Sequence, residues 1–505
     1  MRLLKFLSNR ITIVTLAILV QIGVLIAASY WFEDMGTAIN IVLRILSMLV
    51  VCLVVNEHSD VSIKLTWIVF ILVTPVFGSM MYLLTGGKRP RKRMITALAI
   101  SEKNNKKYRT ENKNAEKALK EKDDELYAQS KYLSRLDFKL LTAENAVYFP
   151  SGEDAFPVML EKMEQAEKFI FLEYFIFEKG EMLEKIVDVL ERKARMGVDV
   201  RLIYDDMGSL FTLPYGYKDL LEKKGIKCIA FNPFVPFLAG IMNNRNHRKI
   251  LVVDSLVAFT GGINIADEYI NVKEKYGYWK DNVFMLEGEC VQAYTLMFLD
   301  MWKAFRDKKE DTGKFLFEYK GEKANGVVQP FCDTPLDDDT VGADVYLNAI
   351  NGAKKYIYIF TPYLVLGQDM STALCLAAKR GVDVRIMVPG IPDKKTVYAL
   401  TKSYYEPLIS AGVGIYEFKP GFLHSKGFVS DDRIACGGTI NLDFRSLHHH
   451  FECGCLFYNM DVVMDMKSDM LRTMEKSERI RDYKKRRGII GSTYNAILRL
   501  IAPLM

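Results

Sequence analysis

The stretch Asn246-His247-Arg248-Lys249-Ile250-Leu251-Val252-Val253-Asp254 decides the fold. It reads His-x-Lys, four residues, then Asp. The apolar run Ile250 to Val253 predicts that the chain leaves a loop here and enters a short buried strand. Seven residues past Asp254 stands Gly261-Gly262-Ile263-Asn264. The pattern returns at Leu423-His424-Ser425-Lys426-Gly427-Phe428-Val429-Ser430-Asp431, and seven residues past Asp431 stands Gly438-Thr439-Ile440-Asn441.

The repetition reaches beyond the motif. Lys168 to Phe175 reads as a strand, and Glu181 to Arg195 as a helix with Leu183, Ile186, Val187 and Leu190 on one face. Gly197-Val198-Asp199-Val200-Arg201 then turns into a second strand. In the later half, Ala353 to Phe360 is again strand-like, and Gly381-Val382-Asp383-Val384-Arg385 repeats that pentapeptide. This is an internal duplication of an α/β unit. The expected fold is two α/β halves related by a pseudo-twofold, each a mixed sheet flanked by helices. They occupy residues 136–315 and 325–482, joined by the charged stretch from Asp307 to Lys323.

A histidine two residues from a lysine on an extended segment shares its face. The imidazole titrates near neutrality and serves as nucleophile, base or acid. The ammonium suits a phosphoryl oxygen, and Asn264 and Asn441, on glycine-flanked turns, are placed to donate to the same oxygens. Two such halves supply two histidines, two lysines and two asparagines around one phosphorus. That set suffices for phosphoryl transfer without a metal or other cofactor: one histidine attacks while the other protonates the leaving oxygen. The chain has six histidines. Beside His247 and His424 there are His58 and the run His448-His449-His450, which reads as local drift rather than as a metal site.

The 505 residues imply several units. Mean hydropathy is +0.03, with the apolar excess at the N-terminus. Residues 1–93 hold two or three membrane segments, at 11–32, 39–55 and 65–85. Arg2, Lys5 and Arg10 precede them, and Lys88, Arg89, Arg91, Lys92 and Arg93 follow. That asymmetry places the large C-terminal portion on the cytoplasmic face of a multi-pass cell-membrane protein and leaves the number of crossings open. Residues 94–135 read as a solvated, charged spacer helix. Residues 483–505 carry the basic run Lys484 to Arg487 and a helix that either lies on the membrane or docks on the second half. The net charge of +6 is clustered, which argues against a nucleic-acid partner and for an anionic surface. Eight cysteines without a CxxC pair or metal-ligand spacing read as thiols of a reducing compartment.

The doubled His-x-Lys-x4-Asp with Gly-Gly-x-Asn and Gly-Thr-x-Asn resembles the phospholipase D superfamily, and within it the bacterial cardiolipin synthases. The likeness covers nearly the whole chain. It extends to Pro75-x-x-Gly78, Tyr82 to Gly86, Tyr204-Asp205-x-x-Gly208-Ser209, Tyr278-Trp279-Lys280-Asp281, Asn441 to Ser446, Phe451-Glu452 and Pro503-Leu504. Where that family has Asn two residues before the Glu, this chain has His450.

The resemblance implies that His247 is the nucleophile and forms a phosphatidyl-histidine, with His424 as acid and then base. Lys249, Lys426, Asn264 and Asn441 would hold the phosphate. Asp281 and Glu452 would bond the far imidazole nitrogens and fix their tautomers. Asp254 and Asp431, the last members of the catalytic motifs, would support the strand–turn geometry. The implied reaction joins two phosphatidylglycerols into cardiolipin and glycerol, with anionic membrane lipids as partners. A hydrolytic phospholipase D is the main rival, and an inactive lipid-binding membrane protein a more distant one.

Overall fold

The computed structural model describes residues 10–33, 36–86, 92–233, 243–317, 325–481 and 489–504. Two sheets carry the chain. From edge to edge, the first runs Asn145–Phe149, Val283–Glu287, Val257–Gly261, Ile250–Val253, Phe169–Tyr174, Asp199–Asp205 and Lys227–Phe231. The second repeats this order as Gly326–Asp333, His450–Tyr458, Ile434–Gly438, Gly427–Ser430, Tyr356–Phe360, Asp383–Pro389 and Gly414–Phe418. In each, the last three strands are parallel and the remaining pairings antiparallel. The motif strands Ile250–Val253 and Gly427–Ser430 hold the same central place in both sheets.

Strand alternation builds three layers of core. Phe169 and Phe171 face a shared central core, while Ile170 and Leu172 face the outer layer of the first half. The helices Val291–Phe305 and Asp461–Glu475 contribute to the central core, where Phe171 stacks on Phe298 at 4.5 Å. Residues of both sheets meet in this one cluster, so the halves share an interior.

Two expectations are corrected. Residues 94–135 are not a solvated spacer. They lie in helices Lys92–Asn105, Lys113–Lys122 and Asp124–Arg135 and bury Met94, Leu98, Ala115, Leu119, Leu126 and Leu133 against the two cores. The strand Leu141–Ala143, expected in the first half, pairs with Gly326–Asp333 of the second sheet. The segment 65–85 breaks at Thr74 into Val61–Val73, Pro75–Met81 and a π-turn Tyr82–Gly86. Pro75 starts the second piece, where a missing N–H costs nothing. Gly78 lets that piece approach the first, since a Cβ there would lie 2.8 Å from the Ile71 Cα. The C-terminal helix Ile489–Ile501 docks through buried Leu498 on the second-half core, and Arg499 donates to the Ser403 hydroxyl at 3.1 Å. Thr66 donates to the Leu500 carbonyl at 2.6 Å, tying that helix to the N-terminal region, while Tyr494, Ile497 and Ile501 keep an apolar face exposed.

Among the described residues, Thr37–Asn56 is the one helix long and apolar enough to cross a bilayer. The first expected segment lies in Arg10–Glu33, whose described apolar stretch is Thr15–Trp31. Lys88, Arg89, Arg91 and the run Lys484 to Arg487 lie outside the described residues. All eight cysteines are free thiols.

Candidate active site

Two short parallel ladders cross between the halves and position the histidines. Arg245–Asn246 pairs with His450–Phe451, and Gly421–Leu423 pairs with Tyr278–Lys280. The His247 N–H donates to the Phe451 carbonyl at 2.9 Å, and the His424 N–H to the Lys280 carbonyl at 2.7 Å. The next residue on each partner strand is a carboxylate. His247 Nδ1 therefore lies 2.9 Å from both oxygens of Glu452, and His424 Nδ1 lies 2.6 Å from Asp281 Oδ2. Each histidine is held by the carboxylate of the opposite half. The loop ahead of His247 is fixed by Asp205, which accepts from the Met207, Gly208 and Asn246 N–H groups.

The site is dry. His247, Lys249, Asp281, His424, Lys426 and Glu452 are all buried. Burial lowers the His247 imidazole to about 3 and the His424 imidazole to about 4; the neighbouring lysines push the same way and the carboxylates oppose it. Both rings are neutral at pH 7, and a proton on Nδ1 facing the carboxylate leaves the lone pair on Nε2. Burial also lowers Lys249 to about 8 and Lys426 to about 7. Burial would raise Glu452, but His247 and His450 outweigh it and hold the carboxyl well below the usual range. Asp281 is held down likewise by Lys426 and His424. Lys249 Nζ donates to the His247 carbonyl at 2.6 Å. Lys426 Nζ donates to the His424 carbonyl and lies 2.7 Å from His424 Nδ1.

The motif aspartates hold the frame and do not touch the histidines. Asp254 accepts from the N–H groups of Glu167, Lys168 and Phe169 at 2.6–2.9 Å, and Asp431 from those of Lys354, Lys355 and Tyr356 at 2.7–2.9 Å. Both sit in left-handed turns, φ 54° and 55°, a conformation that Asp tolerates because its short side chain bonds locally. The asparagines differ from each other. Asn264 Nδ2 donates to the Tyr269 hydroxyl at 2.7 Å, and its oxygen accepts from the Ile176 N–H. The Asn441 side-chain oxygen is buried without a hydrogen-bond partner.

Thr439 and Ser446, which the sequence does not single out, donate to the Glu452 carboxylate, Ser446 at 2.5 Å. Their signal is the mismatch between the two turns, Gly-Gly against Gly-Thr. At Gly262 there is no room for a side chain, since a Cβ would lie 1.8 Å from Asp281 Oδ1. His450 stands beside the first histidine. Its ring centroid is 5.4 Å from that of His247, and its Nδ1 is 3.7 Å from Glu452 Oε1. Among the described residues, His247, His450 and Glu452 form the one group with metal-ligand character.

Paired sheets with two buried histidines on a crossed carboxylate frame define a phosphodiester-processing enzyme of the phospholipase D kind. A family profile described as "Cardiolipin synthase, PLD-like domain" matches residues 159–302 and 346–474, and one described as "Phospholipase_D-nuclease N-terminal" matches 45–87. A Bacillus anthracis protein called cardiolipin synthase 2 is 34% identical over 91% of this chain and 90% of its own. A Halalkalibacterium halodurans cardiolipin synthase is 30% identical over 99% and 100%. The solved phosphatidylserine synthase of Haemophilus influenzae has the same fold, with a TM-score of 0.56 at 18% identity over 72% of this chain and 95% of that one. The chain belongs to the cardiolipin synthase family, enzymes of phosphatidyl transfer.

Proposed function

We propose that the chain joins two phosphatidylglycerols into cardiolipin and glycerol through a phosphatidyl-histidine. The observation that carries this reading is the pair of neutral histidines, each with Nδ1 held by the other half's carboxylate. Such a pairing leaves Nε2 of one ring free to attack and lets the other ring carry a proton. His247 Nε2 bonds to phosphorus as the bond from phosphorus to the headgroup glycerol oxygen breaks. His424, protonated once the phosphodiester anion enters and stabilised by Asp281, gives its proton to that oxygen, and glycerol leaves. A headgroup hydroxyl of a second phosphatidylglycerol then loses its proton to His424. Its oxygen attacks phosphorus, the phosphorus–nitrogen bond breaks, and cardiolipin forms. Lys249, Lys426 and Asn441 hold the phosphoryl oxygens, and Asn264 joins them by giving up its bond to Tyr269.

Burial of the site residues favours a lipid alcohol over water as acceptor. The exposed apolar surface of Thr37–Asn56 (Leu46, Leu49 and Leu53) suits a bilayer that also holds both substrates. We place the protein in the cell membrane as a multi-pass protein, with the site on the cytoplasmic side and anionic lipids around it. Purified protein incubated with phosphatidylglycerol in mixed micelles should yield cardiolipin and free glycerol in equal amounts. Phosphatidic acid as the only phospholipid product would instead establish the hydrolase.

A further inference from the structure

We propose that His247, His450 and Glu452 form an inhibitory binding site for a borderline divalent cation, zinc foremost. One ring nitrogen from each histidine and one Glu452 oxygen lie within 4.8 Å of one another. The two distances to Glu452 Oε1, 2.9 Å from His247 Nδ1 and 3.7 Å from His450 Nδ1, bracket the ligand–ligand spacing of about 3.3 Å that tetrahedral bonds of about 2.0–2.1 Å require. Two imidazoles and one carboxylate are a zinc donor set that leaves a position open.

A second observation points to a ligand. Both ring nitrogens of His450 are sealed from solvent and have no hydrogen-bond partner. A buried polar group left so is costly unless something binds it. His450 also borders a cavity of about 310 Å³ between the turn Glu57–Asp60 and the second half. Its wall includes the carboxylates of Glu57, Asp60, Asp337, Asp338 and Asp369. A recess lined by one sign of charge concentrates counter-ions, so cations collect beside His450.

The consequence for His247 follows from its tautomer. In the free protein the proton sits on Nδ1, facing Glu452, and the lone pair on Nε2. A metal bonded at Nδ1 takes the lone pair of that nitrogen, and the proton moves to Nε2. No proton is gained or lost, but the nitrogen that must attack phosphorus no longer has a free pair. Magnesium, which prefers oxygen ligands and keeps its waters, does not form this site.

The inhibition half of this inference rests on the proposed transfer activity; the binding half does not. Cobalt serves as the spectroscopic probe. Detergent-solubilised full-length protein titrated with Co²⁺ should develop one equivalent of visible d–d absorption, bleached by Zn²⁺ and untouched by Mg²⁺. His450→Asn and His450→Gln should lose that signal, whereas His448→Ala, on the same cavity wall, should keep it. In the phosphatidylglycerol assay, Zn²⁺ should inhibit reversibly, with activity restored by chelator. Relative to each variant's own metal-free rate, the half-inhibiting concentration should rise at least about tenfold in both His450 variants. Absence of the cobalt signal in the unmodified protein, or its survival in both His450 variants, overturns the site. A cobalt signal that depends on His450 while turnover stays unchanged overturns the inhibitory role. Protein that makes no cardiolipin but binds cobalt through His450 sinks the proposed activity and leaves the site standing.

Discussion

The two half-sites share a topology and differ in how they hold their carboxylates. At His424 the partner is the shorter Asp281. Its oxygens meet His424 and the Asn282 N–H, with Lys426 beside the same ring nitrogen and bare Gly262 behind. At His247 the partner is the longer Glu452, whose charge is shared among His247, Thr439 and Ser446. A carboxylate that spends its charge on several donors orients a ring without drawing a further proton onto it. One with fewer donors stabilises an imidazolium better. In the proposed mechanism this difference matches His247 as the neutral nucleophile and His424 as the group that alternates between acid and base. The crossing of partners also makes each half incomplete alone, since each histidine depends on the other's strand.

The most severe way to break the comparison is to remove either histidine. His247→Ala and His424→Ala should each lower cardiolipin formation by more than about 10³-fold, and the double variant should be little worse than either. A strictly additive double variant would mean that the rings do not act as one unit. Next come the crossed carboxylates. Glu452→Gln and Asp281→Asn should each cost about 10²–10⁴-fold in kcat, because an amide no longer enforces the tautomer. Loss in only one of them would leave the other carboxylate without a role.

A smaller effect separates the halves. Thr439→Val removes one hydroxyl from a buried charge, about 1.5–3 kcal/mol or roughly 10–100-fold in rate. Gly262→Thr, the reciprocal change, should do more damage, because its Cβ collides with Asp281. Equal tolerance of both substitutions would refute the asymmetry.

The mildest probe is pH. With the imidazoles lowered to about 3 and 4, protonation does not disable the free enzyme until far below neutrality. With Lys426 lowered to about 7 and Lys249 to about 8, phosphate capture weakens as pH rises through 7 to 8 and the ammoniums lose their protons. The profile of kcat/KM, which reports the free enzyme, should thus be flat from about 5 to 6 and fall through 7 to 8. An acid limb near 6.5, the ordinary imidazole value, would contradict the burial argument.

The duplication was legible because the pentapeptide and both motif offsets survive in both halves. Central strands were legible because Ile250 to Val253 is a continuous apolar run and Phe169 to Phe175 is broken only by Glu173. The crossing of carboxylates was not, since it depends on ladders two or three residues long between segments some 140–200 residues apart. The helices of 94–135 were misread because charge fills their exposed faces. Only the sparse helical spacing of Ala115, Leu119, Leu126 and Leu133 reveals that they pack. His450 looked like one member of a run. Only the fold sets it against His247.

The most direct test of the two-histidine account uses a phosphatidyl ester of p-nitrophenol, whose leaving group needs no acid. The His424→Asn variant should release one equivalent of nitrophenolate in a burst and retain an acid-labile phosphatidyl adduct that peptide mapping finds on His247. The His247→Asn variant should show neither. A burst in His247→Asn, or an adduct mapped to any other residue, would contradict the assignment of His247 as nucleophile.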